Sequence, residues 1–430
     1  MTGTMTERAG GLDRAALRTR AAATATEVAG RLTDPGETAA AACSWSASGL
    51  DEGHPGVALL FAELSHHDPR HRPAVHAHLK AAVAGLPYAL QGGLYAGVPA
   101  LVFAAHTARQ APEDYAGLLH QLDPVVVRAV RARLDEDRRR LTARRAGLGF
   151  PAYDLISGLT GLTGLLLARR PADDPTLTEA VTHLLRLLEP LPREGVPVPG
   201  WWTPGGHRGD DDAEFPDGHL NFGVAHGITG VLSVLVTAHQ AQVPAPGIGE
   251  AVADLAALLL ERRTADGRWP AVVPLADFTA GRTAHAGRSA WCYGTPGVAA
   301  VLHRAGVALD RPDWRRTAVD AALRDLGEPL GVGDPGICHG WAGLLHLATV
   351  LRHASGDARF AALQDRFAAR ALDAHDPDRP FGFGWAATDT DEVVNCAGLL
   401  TGASGIALAL HAYATGAPPA GGWDAALLLS

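Results

Sequence analysis

The sequence predicts an all-α protein: an α/α toroid (barrel) of seven helical hairpins, with inner and outer helix rings. Three observations lead there. A Gly-x-x-Gly motif followed by about ten mainly apolar residues recurs along the chain. Its leading glycines, Gly53, Gly97, Gly158, Gly227, Gly294, Gly340 and Gly402, stand 44 to 69 residues apart, room for two helices and their loops. Between the copies run amphipathic stretches whose apolar residues return every three or four positions.

The copies read EGHPGVALLFAEL from Glu52, AGVPALVFAAHTA from Ala96 and SGLTGLTGLLLARR from Ser157. They continue as HGITGVLSVLVTA from His226, YGTPGVAAVLHRAG from Tyr293, HGWAGLLHLATVLRHA from His339 and TGASGIALALHAYA from Thr401. The second of these keeps only the first glycine. With 50 glycines in 430 residues, about six such glycine pairs arise by chance, so the apolar runs and the intervals carry the weight. Those runs are apolar nearly all round, which suits inner helices packed on both sides. Asp123 to Arg145 and Gly249 to Arg263 each show one wet face, which suits the outer ring. Length alone would suggest two or three domains; the repeats instead predict a short N-terminal helical segment, 1–35, and a single toroid over 36–430. Glycine at the start of each inner helix permits a tight turn and close backbone approach. All seven glycine ends then face one rim, where the preceding residues converge.

Composition narrows the function. Hydrophobic content of 47% with 19% charged residues describes a globular protein with ample core. A net charge of −9 argues against a nucleic-acid partner, which requires a basic surface. The N-terminus lacks the apolar core of a signal peptide. Val393 to Ala414 is apolar but broken by Asn395, Gly398, Gly402, Gly405 and His411, so no transmembrane segment is expected. Four cysteines are too few for a disulfide framework and point to metal, catalysis or burial, in a cytoplasmic setting.

Aligned on the leading glycine, the position two before it reads Asp51, Tyr95, Ile156, Ala225, Cys292, Cys338 and Leu400. The next position reads Glu52, Ala96, Ser157, His226, Tyr293, His339 and Thr401. Cys292 and Cys338 therefore fill one slot in consecutive repeats, which a toroid sets side by side. Adjacent Cys338 and His339 can reach one ion only outside a regular helix, where their side chains would diverge by about 100°. Two thiolates and one imidazole with an open fourth position describe a catalytic zinc, Zn2+. The plainer alternative is that both cysteines are small buried hydrophobes. Such an ion can deprotonate water or a substrate thiol, and thiolate ligands favour the thiol.

SAWCYGTPG (289–297), GICHGWAG (336–343) and NFGVAHGITG (221–230) resemble the signature motifs of the LanC-type lanthionine synthetases. YDLISGLTG (153–161) and LLTGASGIALAL (399–410) fit the same family, and the likeness runs in order from about residue 40 to the end. The resemblance implies a seven-hairpin toroid with zinc held by Cys292, Cys338 and His339. It implies a lanthipeptide cyclase that adds substrate cysteine thiols to dehydroalanine or dehydrobutyrine, forming lanthionine or methyllanthionine thioether rings. His226 matches the family's catalytic histidine, Asp154 an aspartate that orients it, Arg288 an arginine that could stabilise enolate charge, and Tyr293 a motif tyrosine. Each has a structural alternative: Asp154 as a helix cap, Arg288 as an ion-pair partner, His226 as a rim hydrogen-bond residue.

The expected partner is a dehydrated precursor peptide with a leader. A short N-terminus predicts no fused dehydratase, so a separate dehydratase is expected, with an export transporter and a complex held peripherally at the membrane as further expectations. Two other functions fit the same residues: a LanC-like enzyme that adds glutathione to dehydroamino acids in proteins, and a non-catalytic, zinc-containing peptide-binding scaffold. HHDPRHRPAVHAH (66–78) reads as a solvated loop, GDDDAE (209–214) as an acidic loop, and Trp201, Trp202 and Trp341 as groove or core. Cys43 and Cys396 fall outside the aligned slot and are expected to bind no metal.

Overall fold

The computed structural model describes residues 13–86, 92–205, 215–282, 285–386 and 392–430. Seven helices among them follow the glycine motifs: His54–Ser65, Gly97–Thr107, Leu159–Arg169, Ile228–Gln240, Thr295–Ala308, Trp341–Ser355 and Ala403–Thr415. Each packs against the next, and the last packs against the first, so the inner ring closes. Their near-complete burial matches their all-round apolar sequence; every residue of His54–Ser65 is buried.

The outer ring is Arg72–Ala84, Ala116–Thr142, Pro175–Arg186, Ile248–Glu261, Pro312–Gly327 and Phe360–Asp373, each packed on the inner helix before it. Arg14–Arg31 takes the remaining outer place, against Ala403–Thr415 and Phe360–Asp373. Asp13 caps it by accepting from Ala15 and Ala16 N–H. Arg14 then grips Asp365 with a forked ion pair, and Tyr413 donates to the same carboxylate at 2.8 Å.

Where a motif keeps its second glycine, that residue explains why the helix starts where it does. A Cβ at Gly56, Gly161, Gly297, Gly343 or Gly405 would overlap the carbonyl oxygen six residues earlier, on Leu50, Leu155, Trp291, Ile337 or Leu399. The rim turn folds back onto the first helical turn, and only glycine leaves room. At Gly294 the backbone also adopts φ +88°, in the left-handed region.

Those rim turns join in a second closed ring, made of backbone hydrogen bonds. Leu50 N–H donates to Tyr95 O at 3.0 Å, Tyr95 to Ile156 at 3.3 Å, Leu155 to Ala225 at 3.1 Å and Ala225 to Cys292 at 3.3 Å. Cys292 donates to Cys338 at 3.3 Å, Cys338 to Leu400 at 2.9 Å, and Leu399 to Leu50 at 3.0 Å. The residues aligned by sequence two positions before each glycine are thus neighbours around one circle.

Among the described residues, three short antiparallel strand pairs depart from a purely helical chain. The pairing of His219–Asn221 with Val272–Pro274 matters most, because it fixes the approach to His226. The chain's end, beginning with the 3-10 turn Trp423–Leu427, enters the inner ring from the far rim and fills its lumen. Its carbonyls accept from Tyr95 Oη (Ala426, 2.8 Å), Trp291 Nε1 (Leu427, 2.9 Å) and Ser233 Oγ (Leu428, 2.7 Å). Among the described residues no helix is long and apolar enough to cross a membrane. The GDDDAE loop lies outside the described residues.

Candidate active site

Cys292 and Cys338 occupy adjacent rim turns just ahead of the helices that begin at Thr295 and Trp341. The non-helical turn lets Cys338 and His339 face the same point. One donor atom each from Cys292, Cys338 and His339 lies within 4.8 Å of the others. Cys292 is buried and the other two are half-buried. The hydrogen bond from the Cys338 thiol, helped by His339, holds the Cys292 thiol well below the usual cysteine range despite burial. The same contact, with burial, pushes Cys338 up. Burial opposes the His339 cation, but Cys292 and Asp334 outweigh it and raise its pKa.

Asp334 was not singled out by sequence. Its Oδ2 lies 3.4 Å from His339 Nε2, and its Oδ1 accepts from Gly336 N–H at 2.8 Å. A carboxylate so anchored fixes the orientation of the imidazole, as partners of metal-bound histidines do. Cys43 and Cys396 lie apart from this group, one exposed and one buried.

His226 stands one repeat before Cys292, in the turn ahead of Ile228–Gln240. Its Nδ1 is 2.5 Å from Oδ2 of Asp154, which is 1% exposed. The other Asp154 oxygen accepts from Ser157 N–H at 2.7 Å. Asp154 thus holds its own turn and orients the histidine, but it does not cap the inner helix, whose N-cap Gly158 receives no side-chain hydrogen bond. Tyr153 Oη donates to the His226 carbonyl at 3.2 Å, fixing the backbone as well. With Nδ1–H committed to the carboxylate, Nε2 is the basic nitrogen of the neutral ring.

Tyr293 bridges the two groups. Its ring centroid is 6.2 Å from that of His226, and it follows Cys292 directly. Asn221, set by its strand pairing, donates from Nδ2 to Tyr293 Oη at 3.1 Å and accepts from Gly223 N–H at 2.9 Å. A side chain at Gly223 would strike both the Tyr293 ring and the Cys292 carbonyl. Burial pushes the Tyr293 phenol far up, so it stays protonated. Phe150 covers His226 with a ring 5.8 Å away. Asn221 opens the NFGVAHGITG segment, and only the fold brings it to Tyr293.

Arg288 is exposed and forms no hydrogen bond or ion pair among the described residues. Its charge still reaches Cys292, where it favours thiolate, and His339, where it disfavours the cation. Trp201 and Trp202 are buried, and Trp341 stacks on Phe367 at 6.1 Å, which makes all three packing residues.

Comparison with known proteins agrees with this architecture. Residues 44–428 match the family model described as lanthionine synthetase C-like protein. The nisin biosynthesis protein NisC of Lactococcus lactis subsp. lactis is 25% identical over 339 residues, 74% of this chain and 77% of its own length. The solved structure of nisin cyclase superposes with a TM-score of 0.73 at 22% identity, covering 90% of this chain and 93% of that one. The fold is therefore that of the cyclase toroid, and the chain belongs to the lanthionine synthetase C-like family.

Proposed function

We propose that this chain is a zinc-dependent peptide cyclase that closes thioether rings in lanthipeptide biosynthesis. The observation that carries the reading is the convergence of Cys292, Cys338 and His339 on one point, beside the oriented His226–Asp154 pair. The donor set fits zinc: two thiols, one already inclined to ionise, and an imidazole backed by Asp334. Zinc held there would lower the pKa of a substrate cysteine so that it reacts as thiolate near neutral pH.

In the addition, a sulfur–Cβ bond forms at dehydroalanine or dehydrobutyrine and the displaced electron pair passes to the carbonyl oxygen. A proton must then reach Cα. The net reaction moves one proton from sulfur to carbon, so one group that can both accept and donate serves. His226 is suited to carry it, with Asp154 stabilising the cation in between. Tyr293, kept protonated and aimed by Asn221, is a donor suited to the enolate oxygen. Arg288 adds positive charge at the rim.

The test is incubation of purified protein with a dehydrated, cysteine-containing peptide, with and without glutathione. Ring closure leaves the mass unchanged and removes free thiol, so alkylation counts the rings. Activity and bound zinc should disappear together in Cys292→Ala and Cys338→Ala. Adducts heavier by glutathione, with peptide thiols still free, would favour the glutathione-adding enzyme. Zinc-free wild-type protein, or cysteine variants that still cyclise, would sink the proposal, and a chain that binds peptide without changing it is a scaffold.

A further inference from the structure

A second group of metal-ligating side chains converges on the far rim. Glu63 projects from the first inner helix, His54–Ser65, and His411 from the last, Ala403–Thr415. His67 follows in the turn after the first of these. One donor atom from each lies within 4.8 Å of the others. His67 belongs to the histidine-rich stretch 66–78, which is not the solvated loop its spacing suggests: residues from Arg72 on are helical and His78 is buried, while the turn at His67 is exposed.

The surroundings ask for a cation. Glu63 is only 4% exposed, and its two oxygens accept from Ala420 and Gly421 N–H at 2.8 Å each. No arginine, lysine or histidine forms an ion pair with it among the described residues. The two N–H donors supply no positive charge, and each carboxylate oxygen keeps a lone pair open to a cation. His411 Nε2 is buried and has no hydrogen-bond partner. The exposed His67 ring stands 5.0 Å from the His411 ring, on the solvent side.

We propose that Glu63, His67 and His411 form a second zinc site that clips the seam where the ring closes. Two imidazoles and one carboxylate are a recognised zinc donor set, with a water completing the tetrahedron; drawing these donors onto an ion about 2 Å from each takes shifts of about 1 Å. The ion would join the first inner helix to the last. Through Ala420 and Gly421 it would also secure the segment leading into the lumen. Three protein ligands leave an exchangeable fourth position, but the site lies on the opposite rim from His226, so the ion would brace the seam and take no part in the cyclisation.

Metal counting on the full-length chain tests this apart from the catalytic reading. Zinc-loaded, desalted Cys292→Ala/Cys338→Ala protein should keep roughly one zinc per chain, and wild type roughly two. Adding His67→Ala, an exposed change that spares the core, should weaken the remaining zinc at least about tenfold; His411→Gln, close in size, should do the same. Zinc should raise the Tm of the double-cysteine variant and leave that of the His67→Ala triple variant unmoved. Cobalt in the double-cysteine variant should show d–d bands without thiolate charge transfer. A double-cysteine variant holding no zinc, or holding it regardless of His67, overturns the proposal. One holding as much zinc as wild type would instead discredit the cysteine site.

Discussion

At the residue scale, one buried carboxylate decides how the candidate base is presented. Asp154 accepts from Ser157 N–H with one oxygen and from His226 with the other. His226→Asn should therefore lower cyclisation by about 10²–10⁴, leaving bound zinc unchanged, as single-turnover assays and metal analysis on the same sample would show. Asp154→Asn keeps the backbone contact and removes the charge; a loss of about tenfold or more in kcat with intact folding is expected. Unchanged kcat in both variants would remove His226 from the chemistry. Asp154 stood out only through the family resemblance, whereas Cys292, Cys338, His339 and His226 were legible in the sequence because a repeat register assigns equivalent slots to distant positions. Asp334 and Asn221 were not. They lie five residues before their partner and 72 residues before theirs, and no periodicity links them.

At the element scale, the inner helices depend on a close turn at their first residues. Gly343→Ala would push a methyl group into the Ile337 carbonyl and should cost about 1–3 kcal/mol. Gly117→Ala, in an outer helix with open space around it, should instead stabilise by about 0.5–1 kcal/mol. Chemical denaturation of the pair would show whether close approach or intrinsic propensity governs each position. Another feature of the first hairpin sets a pH limit. His54 and His78 face each other with Nδ1 atoms 3.1 Å apart, and His78 Nε2 is 2.8 Å from Leu32 O. Burial and the neighbouring ring lower the His54 pKa from 6.5 to about 4, and burial lowers His78 also. Between those values the unfolded chain binds more protons than the folded one, so stability falls as pH drops from 6.5 towards 4. Urea midpoints across that range should decline, and less steeply in His54→Gln; equal slopes would exclude the pair.

At the scale of the whole molecule, the two ends of the chain complete the ring. Arg14–Arg31 fills an outer position beside the last inner helix, and the final residues fill the lumen. Trp423 is fully buried, with its ring 4.6 Å from that of His346. Arg304 reaches inward to Leu428 O at 2.8 Å and Ser233 Oγ at 2.7 Å, and burial lowers its pKa to about 10. Trp423→Ala should cost about 3–5 kcal/mol, read as a lower denaturation midpoint. A midpoint matching wild type would show that the lumen needs no plug. Because Leu427 O supports Trp291, next to Cys292, the plug also braces the candidate zinc turn from below.

The seven-fold repetition, the alternation of wet and buried helices and the slot shared by Cys292 and Cys338 all followed from the sequence alone. They are periodic properties, and period survives in one dimension. Tertiary structure decided what has no period: the lumenal path of the C-terminal segment, the outer place taken by Arg14–Arg31, and the carboxylate of Asp334 set behind His339. Asp154 shows the boundary between the two. Its type and position were readable as a helix cap or a partner; the packing of neighbouring repeats, which sets its Oδ2 2.5 Å from His226 Nδ1 and leaves the helix capped by Gly158, made it the partner.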